Sequence, residues 1–337
     1  MSEGIGGRGR PEDASGTRLV LLGTAGGPLP SPVRSGISQA VVVHGRAYVV
    51  DCGSGVARQL RRARLLRRVH QVLLTHLHSD HDCDYFNLFL LGWPVLQWNP
   101  PVNVYGPGPA GRLPPVPEDA PAGHHIPLIG ANPTPGLLEI TRAQIAAHAY
   151  DLNIRMREAG RSDLTALVSP HEIALGSGPD AGDVPPPMDP ILVSEDERVR
   201  VTAILVDHAP VFPSFAYRFD SDEGSIVISG DTAPCANLVT LARGADILVH
   251  EVFADDVGEP ETPVDWEAAQ REHHRRRAHT PLSAVGRVAA EADVRRLVLT
   301  HFLPGDDTLA DEHWVHGAAS SFDGEVIPGA DLMELKL

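Results

Sequence analysis

The chain has 337 residues, enough for one large domain or two small ones. Its 44 acidic and 28 basic residues give a formal net charge of −16, which argues against a protein that binds nucleic acid through its general surface. Its three cysteines, an odd number, argue against a disulfide framework, and no apolar run approaches the length of a membrane span.

The amino terminus is rich in Gly, Arg and Glu and lacks the apolar stretch of a secretory signal. Such a composition buries little apolar surface, so we predict a disordered lead-in over residues 1–17. A single domain is expected over residues 18–337. We also predict a cytoplasmic protein without membrane contact.

The first half predicts short strands followed by turns. A strand over 18–24 leads into glycines, and a hairpin over 38–50 turns at 44–46. A helix over 56–69 follows, with its leucines inward and its arginines largely outward. The arginines are Arg58, Arg61, Arg62, Arg64, Arg67 and Arg68. A solvated helix face is the simplest interpretation, and binding of an anionic substrate or RNA is the alternative.

Four candidate metal ligands follow the apolar run 71–74, which predicts a buried strand. They are His76, His78, Asp80 and His81. Alternate side chains of an extended segment point the same way, so His76 and His78 can converge on one ion, and a turn lets Asp80 and His81 face a second. These ligand types suit zinc, with manganese and iron as alternatives, so we predict two zinc ions per chain. A polar loop with chance histidines is the competing interpretation.

Residues 112–195 interrupt the alternation of strands and helices with a segment rich in Pro and Gly. One helix is predicted at about 141–158, with Thr141 as its N-cap and Gly160 as its end. We interpret the segment as an insertion that forms a lid or a dimer contact. Its histidines are interpreted as surface or lid residues: His124, His125, His148 and His171.

Predicted strands of the second half again end in polar residues. These ends carry Asp207-His208, Asp231, His250-Glu251 and His301. Polar side chains at strand ends are held rigidly by an α/β structure. The two halves look like repeats of one sheet-plus-helix unit. We therefore predict an α/β fold in four layers, an αββα sandwich with the metals along one edge.

With these residues the chain resembles the metallo-β-lactamase-fold hydrolases, and among them the ribonuclease Z and arylsulfatase-like branch. Besides the first motif, the resemblance rests on His208 before the aromatic strand 215–219, on Asp231 in Ser-Gly-Asp-Thr and on His301 in Leu-Thr-His-Phe. It implies two metal ions with distinct ligands. His76, His78 and His208 hold one ion, Asp80, His81 and His301 hold the other, and Asp231 bridges both with a water.

In the same branch a glutamate and a histidine pair, and the histidine donates a proton to the leaving oxygen. Glu251 in Val-His-Glu and His279 in Ala-His-Thr match these positions. The alternative is that Glu251 orients a ligand histidine and His279 caps a helix. The nucleophile is expected to be a metal-bridging hydroxide oriented by Asp80 and Asp231. His273 and His274 are interpreted as a polar surface run.

The resemblance weakens at two places. Only a tight turn separates the strand after His208 from the next, where transfer-RNA-processing ribonuclease Z carries a long arm, and Asp84 replaces the family glycine. With the acidic charge, these departures favour a dinuclear zinc hydrolase of a small-molecule ester, either a phosphodiester or a sulfate ester. The enzymatic alternatives are a tRNA 3′-end endonuclease and a lactone or β-lactam hydrolase, and the non-enzymatic one is a metal-stabilised binding protein. Nucleic acid is thus the disfavoured partner, and a homodimer is common in the branch.

Overall fold

The computed structural model describes residues 16–117, 120–121, 126–175, 184–257 and 266–337. Almost all of the predicted lead-in, and His124 and His125, lie outside these ranges. The strands are β1 (Thr17–Gly23), β2 (Ser38–Val43), β3 (Arg46–Val50), β4 (Val69–Leu73), β5 (Val102–Gly106), β6 (Val168–Glu172), β7 (Ile191–Glu195), β8 (Val199–Leu205), β9 (Phe215–Ser221), β10 (Gly224–Ile228), β11 (Ile247–Phe253), β12 (Arg296–Leu303), β13 (Glu325–Pro328) and β14 (Glu334–Lys336). The helices are α1 (Val56–Arg62), α2 (Ser79–Asp82), α3 (Tyr85–Leu96), α4 (Leu137–Ala147), α5 (Ala149–Glu158), α6 (Ala236–Ala242), α7 (Trp266–Ala278), α8 (Leu282–Glu291) and α9 (Asp311–Ala319).

The strands form two seven-stranded sheets. The first has the order β14-β1-β2-β3-β4-β5-β6, and the second has the order β13-β12-β11-β10-β9-β8-β7. In the first sheet β3, β4, β5 and β6 are mutually parallel, and in the second β10, β11, β12 and β13 are parallel. Parallel strands bring their carboxyl ends to one edge of a sheet. The polar residues that follow these strands are therefore brought to one edge of the sandwich.

Three apolar layers separate four layers of secondary structure. The central layer packs the inner faces of the two sheets together, with Tyr48 and Leu73 from the first sheet and Tyr217 and Val249 from the second. The outer layers lie under α1 and α3 on one side, and under α6, α8 and α9 on the other. A strand that is buried on both faces has mostly apolar residues in sequence, as in the second half of β2. The predicted αββα sandwich is confirmed.

Two hydrogen bonds join the sheets beside the metal motif. The amide of Phe215 donates to the carbonyl of Thr75 at 2.9 Å, and the hydroxyl of Tyr217 donates to the carbonyl of Leu74 at 2.7 Å. Both acceptors lie between the end of β4 and His76. The first half of the candidate site is thereby fixed against the strand that follows His208.

Several elements differ from the expectations. The helix predicted over 56–69 ends at Arg62, because Arg64 adopts a left-handed conformation with φ 59°, and a 3₁₀ turn leads into β4. The helix predicted at 141–158 is two helices, and Thr141 is not an N-cap: it lies inside α4 and donates to the carbonyl of Leu137 at 2.8 Å. The segment 112–195 also supplies edge strands to both sheets, β6 and β7. No helix among the described residues is long and apolar enough to cross a membrane.

Candidate metal centre and active site

Three histidines from distant parts of the chain converge as the first candidate ligand group. Nε2 of His76 lies 3.1 Å from Nδ1 of His78, and Nε2 of His208 lies 3.3 Å from the same atom. One ligand atom from each of these residues and from Asp231 lies within 4.8 Å of the others. His76 and His78 leave the end of β4, and His208 follows β8. This is the set that the resemblance assigned to one ion.

The second candidate group consists of Asp80, His81, His301 and Asp231. The Nε2 atoms of His81 and His301 face each other at 3.3 Å, and Oδ2 of Asp80 lies 3.4 Å from Nε2 of His301. Asp80 and His81 belong to the short helix α2, whereas His301 interrupts β12 with a φ of 48°. The left-handed conformation and a register shift in β12 turn the ring toward α2.

Asp231 lies between the two groups. Its Oδ2 is 3.3 Å from Nε2 of both His81 and His301, 3.9 Å from Nε2 of His76 and 4.0 Å from Nε2 of His208. Its side chain is 2% exposed, and neither oxygen accepts a hydrogen bond from the described residues. A buried carboxylate without hydrogen bonds is costly unless cations neutralise it. These residues therefore fit two divalent ions, and Asp231 would lie between them.

Two ligand histidines, His81 and His208, also contact the protein through their other ring nitrogen. Nδ1 of His81 lies 2.8 Å from Oδ2 of Asp51, and Nδ1 of His208 donates to the carbonyl of Ala278 at 2.9 Å. Such contacts fix the tautomer and leave Nε2 for a metal. Asp51 was not predicted from the sequence; it is 1% exposed and also accepts from the amide of Thr75 at 2.8 Å. Its position directly after the apolar strand β3, like the ligands after other strands, was the available signal.

Burial and charge set the protonation of the cluster. Burial lowers the pKa of His76 and His208 well below the usual value. Burial also disfavours the charged forms of His81 and His301, but the Asp231 carboxylate and its acidic neighbours outweigh it and raise the pKa of both rings. The buried carboxylates thus attract positive charge, and a cation binding there would displace these protons.

Glu251 and His279 form the expected pair beside the ligand groups. Oε2 of Glu251 lies 2.8 Å from Nδ1 of His279, and Oε1 accepts from the amide of Thr232 at 2.5 Å. Nδ1 of His279 is 3.8 Å from Oδ2 of Asp231. Burial alone would lower the pKa of His279, but the charge and hydrogen bond of Glu251 raise it to about 9. Glu251 thus favours the protonated form of His279, which is the form that a proton donor requires.

Four further histidines that the sequence predicted at the surface or in a lid separate into two classes. His148 stacks on Phe86 with ring centroids 5.8 Å apart, and His171 contacts Asn103 at an exposed edge, so neither belongs to the ligand groups. His273 is exposed as expected. The interpretation of His274 as a surface residue is wrong: its ring centroid lies 5.5 Å from those of His208 and His279.

The chain is similar to known proteins both in sequence and in fold. Residues 33–272 match the family model described as the metallo-beta-lactamase superfamily. The protein named Ribonuclease Z from Mycobacterium bovis is 32% identical over 325 residues, covering 95% of this chain and 98% of that protein. The metallo-beta-lactamase fold protein YhfI from Bacillus subtilis superimposes with a TM-score of 0.61 and 16% identity, covering 95% of this chain and 99% of that one. The short form of human tRNase Z superimposes with a TM-score of 0.60 and 21% identity, covering 95% and 98%.

Proposed function

Because this chain belongs to the metallo-beta-lactamase superfamily, we propose that it is a zinc-dependent phosphodiesterase of the ribonuclease Z type that cleaves the 3′ extension of precursor tRNA. The observation that carries the proposal is the Glu251–His279 pair, whose Nδ1–Oε2 distance is 2.8 Å, next to two candidate metal-ligand groups. A relative 32% identical over 95% of the chain carries the name Ribonuclease Z, which supports RNA as the substrate.

The ligand groups define what each part of the site contributes. His76, His78 and His208 are proposed to hold one ion, Asp80, His81 and His301 the other, with Asp231 between them. Two divalent ions bound there would lower the pKa of a bound water and neutralise charge on the phosphoryl oxygens. Asp80 stays ionised and can therefore serve as a ligand. Burial opposes its ionisation, but the charges of His81 and His301 hold the pKa of its carboxyl well below its usual range.

His279 is proposed to protonate the leaving alkoxide. Attack on phosphorus breaks the bond to the leaving oxygen, which needs a proton because an alkoxide is a poor leaving group. Glu251 holds Nδ1 of His279, so Nε2 is the nitrogen left to face the substrate. The amide of Thr232 fixes Glu251 in turn. A hydrolase of activated esters needs no such acid.

An RNA substrate is compatible with the acidic net charge of this chain. Net charge averages the whole surface, whereas an RNA contacts one face. Six exposed or half-buried arginines between the start of α1 and the end of the following 3₁₀ turn are proposed to form such a face: Arg58, Arg61, Arg62, Arg64, Arg67 and Arg68. No carboxylate among the described residues pairs with them, and only Arg62 has a side-chain hydrogen bond, to Gln59 at 2.9 Å.

The segment that leads into α1 is hydrogen-bonded to the metal motif. The amide of Cys52 donates to the carbonyl of His81 at 2.7 Å, and α1 starts at Val56. The structure has no arm between β9 and β10, because Ser221 and Gly224 are joined by two residues. We propose that the side chains of the arginine face contact the phosphate backbone of the RNA. The absent arm is also the observation that favours the second candidate, a hydrolase of small diesters or sulfate esters.

The segment 112–195 remains proposed as a lid or a dimer contact. Its exposed apolar side chains Leu128 and Ile129, which are 70% and 78% exposed, support a surface that becomes covered. The homodimer and the cytoplasmic location likewise remain proposals.

The test compares substrates on protein loaded with zinc and on the same protein after chelation. We expect cleavage of a 3′-extended precursor tRNA and of bis(p-nitrophenyl) phosphate, with both activities lost after chelation and restored by zinc. Cleavage of the small diester or of p-nitrophenyl sulfate without cleavage of the tRNA would establish the second candidate instead. Failure to bind metal would overturn both.

A further inference from the structure

His274 lies on the face of α7 that packs against the segment of Asp207 and His208. Two contacts at the end of α7 hold this helix in place. Ala278 accepts from Nδ1 of His208 through its carbonyl at 2.9 Å, and Arg277 donates to Asp207 at 3.0 and 3.1 Å. Residues four apart share one face of a helix, so His274 lies on the face of Ala278, which is fully buried. His273, one residue earlier, is exposed.

The His274 ring borders both the first ligand group and the acid pair. Its centroid is 6.0 Å from that of His78, 5.5 Å from that of His208 and 5.5 Å from that of His279, with interplanar angles of 75°, 64° and 89°. One nitrogen of each of His208, His274 and His279 lies within 4.8 Å of the others. His274 therefore faces the space between a candidate metal ligand and the candidate acid.

Each neighbouring ring has at least one nitrogen with a protein partner, whereas His274 has none among the described residues. His208 uses Nδ1 for Ala278 and directs Nε2 at the first ligand group, and His279 uses Nδ1 for Glu251. In the described part of the chain, no hydrogen bond or ion pair involves His274. A third ion among these rings would compete with the first for Nε2 of His208. A substrate atom is thus the better partner for His274.

We propose that His274 is a catalytic residue that hydrogen-bonds a non-bridging oxygen of the scissile phosphate. An imidazole N–H at this place can stabilise the charge that develops on phosphoryl oxygens during attack. The leaving oxygen is assigned to His279, which Glu251 orients, so His274 serves the oxygen on the side of His78. The inference rests on the proposed function only in requiring a phosphate ester as substrate, RNA or not.

The experiment uses His274→Ala, the more conservative His274→Gln, and His273→Ala as the matched control from the adjacent position. Substrates are bis(p-nitrophenyl) phosphate, whose leaving group needs no protonation, and 3′-extended precursor tRNA, whose leaving group does. We expect His274→Ala to lower kcat/KM by roughly 100-fold on both substrates, as loss of one charge-stabilising donor does. His274→Gln retains an N–H donor and should recover part of the loss.

Two readouts do not depend on turnover. Metal content by elemental analysis should equal that of the unmodified protein in every variant. Binding of inorganic phosphate to the zinc-loaded protein, measured by calorimetry, should weaken about tenfold in His274→Ala and stay unchanged in His273→Ala. These readouts hold even if the protein cleaves no RNA, so failure of the RNA proposal and failure of the His274 proposal are distinguishable.

Three results would overturn the role of His274. If His274→Ala and His273→Ala had the same turnover and the same phosphate affinity, His274 would have no role in catalysis. Loss of zinc from His274→Ala would make it a metal ligand. A loss confined to the precursor tRNA, with phosphate binding intact, would mean that it acts through His279.

Discussion

Oδ2 of Asp51 lies 2.8 Å from Nδ1 of His81, and both side chains are 1% exposed. Asp51 follows β3, whereas His81 lies in α2, so the contact joins two successive strand ends of the first sheet. The carboxylate fixes the ring so that Nε2 faces Asp231 and His301. Asp51, which belongs to neither candidate ligand group, thus orients a candidate ligand.

We predict that Asp51→Asn weakens metal binding. The amide keeps the shape of the side chain but loses the charge that orients His81, so affinity for the second ion should fall about 10- to 100-fold. Competition with a chromogenic chelator measures this change. Asp163→Asn, an exposed cap that accepts from the amide of Thr165 at 2.8 Å, is the control. Unaltered affinity in Asp51→Asn would contradict the orienting role.

A second prediction distinguishes the contribution of the proposed acid, His279, to the rate from that of the metal ions. His279→Ala should lower cleavage of precursor tRNA by about 10²- to 10⁴-fold, because the leaving alkoxide no longer receives a proton. Cleavage of bis(p-nitrophenyl) phosphate should fall much less, since p-nitrophenolate leaves without one. Steady-state rates on both substrates at equal zinc content provide the measurement. Equal losses on the two substrates would show that His279 is not the leaving-group acid.

The arginine face gives a third prediction. The triple variant Arg61→Ser, Arg64→Ser and Arg67→Ser should raise KM for precursor tRNA and leave the rate on the small diester unchanged. Each lost phosphate contact should also reduce the slope of log affinity against log salt by about one. Arg155→Ser is the control, because Arg155 is exposed on α5 and paired with Asp151 at 2.8 Å. A triple variant with the tRNA affinity of the unmodified protein would remove this face from RNA binding.

A fourth prediction concerns stability and pH. Asp196, before β8, accepts from the hydroxyl of Tyr48 at 2.6 Å and from the amide of Arg198 at 2.8 Å, which joins the two sheets. Burial raises the pKa of Asp196, but these hydrogen bonds outweigh it and lower the pKa below the usual value. A lowered carboxyl pKa stabilises the fold above the unfolded value of about 3.9, and that contribution is lost as the pH falls through the folded value.

Asp196→Asn should therefore lower the free energy of unfolding by about 1–2 kcal/mol at pH 7, and the difference from the unmodified protein should shrink below about pH 4. Urea unfolding at several pH values, followed by circular dichroism, tests this. Asp222→Asn, on the exposed turn between β9 and β10, provides the comparison. A difference that grows as the pH falls would have the wrong sign for this explanation.

Much of the fold follows from the sequence because strand ends are marked by composition. Each apolar run that leads into a His or Asp became a buried strand, as at β4 and β12. The break in the helix predicted at 141–158 could not be predicted in the same way. Thr141 looked like an N-cap, but its hydroxyl contacts that of Tyr85 at 2.9 Å in the core, which a local pattern does not reveal.

The substrate class is where composition and the proposed function disagree most. A net charge of −16 argued against RNA, yet it describes the sum over the chain and not the face that contains α1. The net charge and the absent arm, which argue against RNA, are both features of the molecular surface away from the candidate metal centre. The acid pair at the centre and the relatives named Ribonuclease Z favour RNA.

The identity and order of the candidate ligands were predicted from the sequence, through the motif over residues 76–81 and the resemblance to a known family, because both depend on residue types in chain order. Which ring nitrogens face each other, and what holds them, depends instead on how the folded chain packs. The Asp51–His81 and Ala278–His208 contacts span 30 and 70 residues of sequence. The difference between His273 and His274 likewise depends on the docking of α7. Contacts between distant segments arise from packing, and no local pattern encodes them.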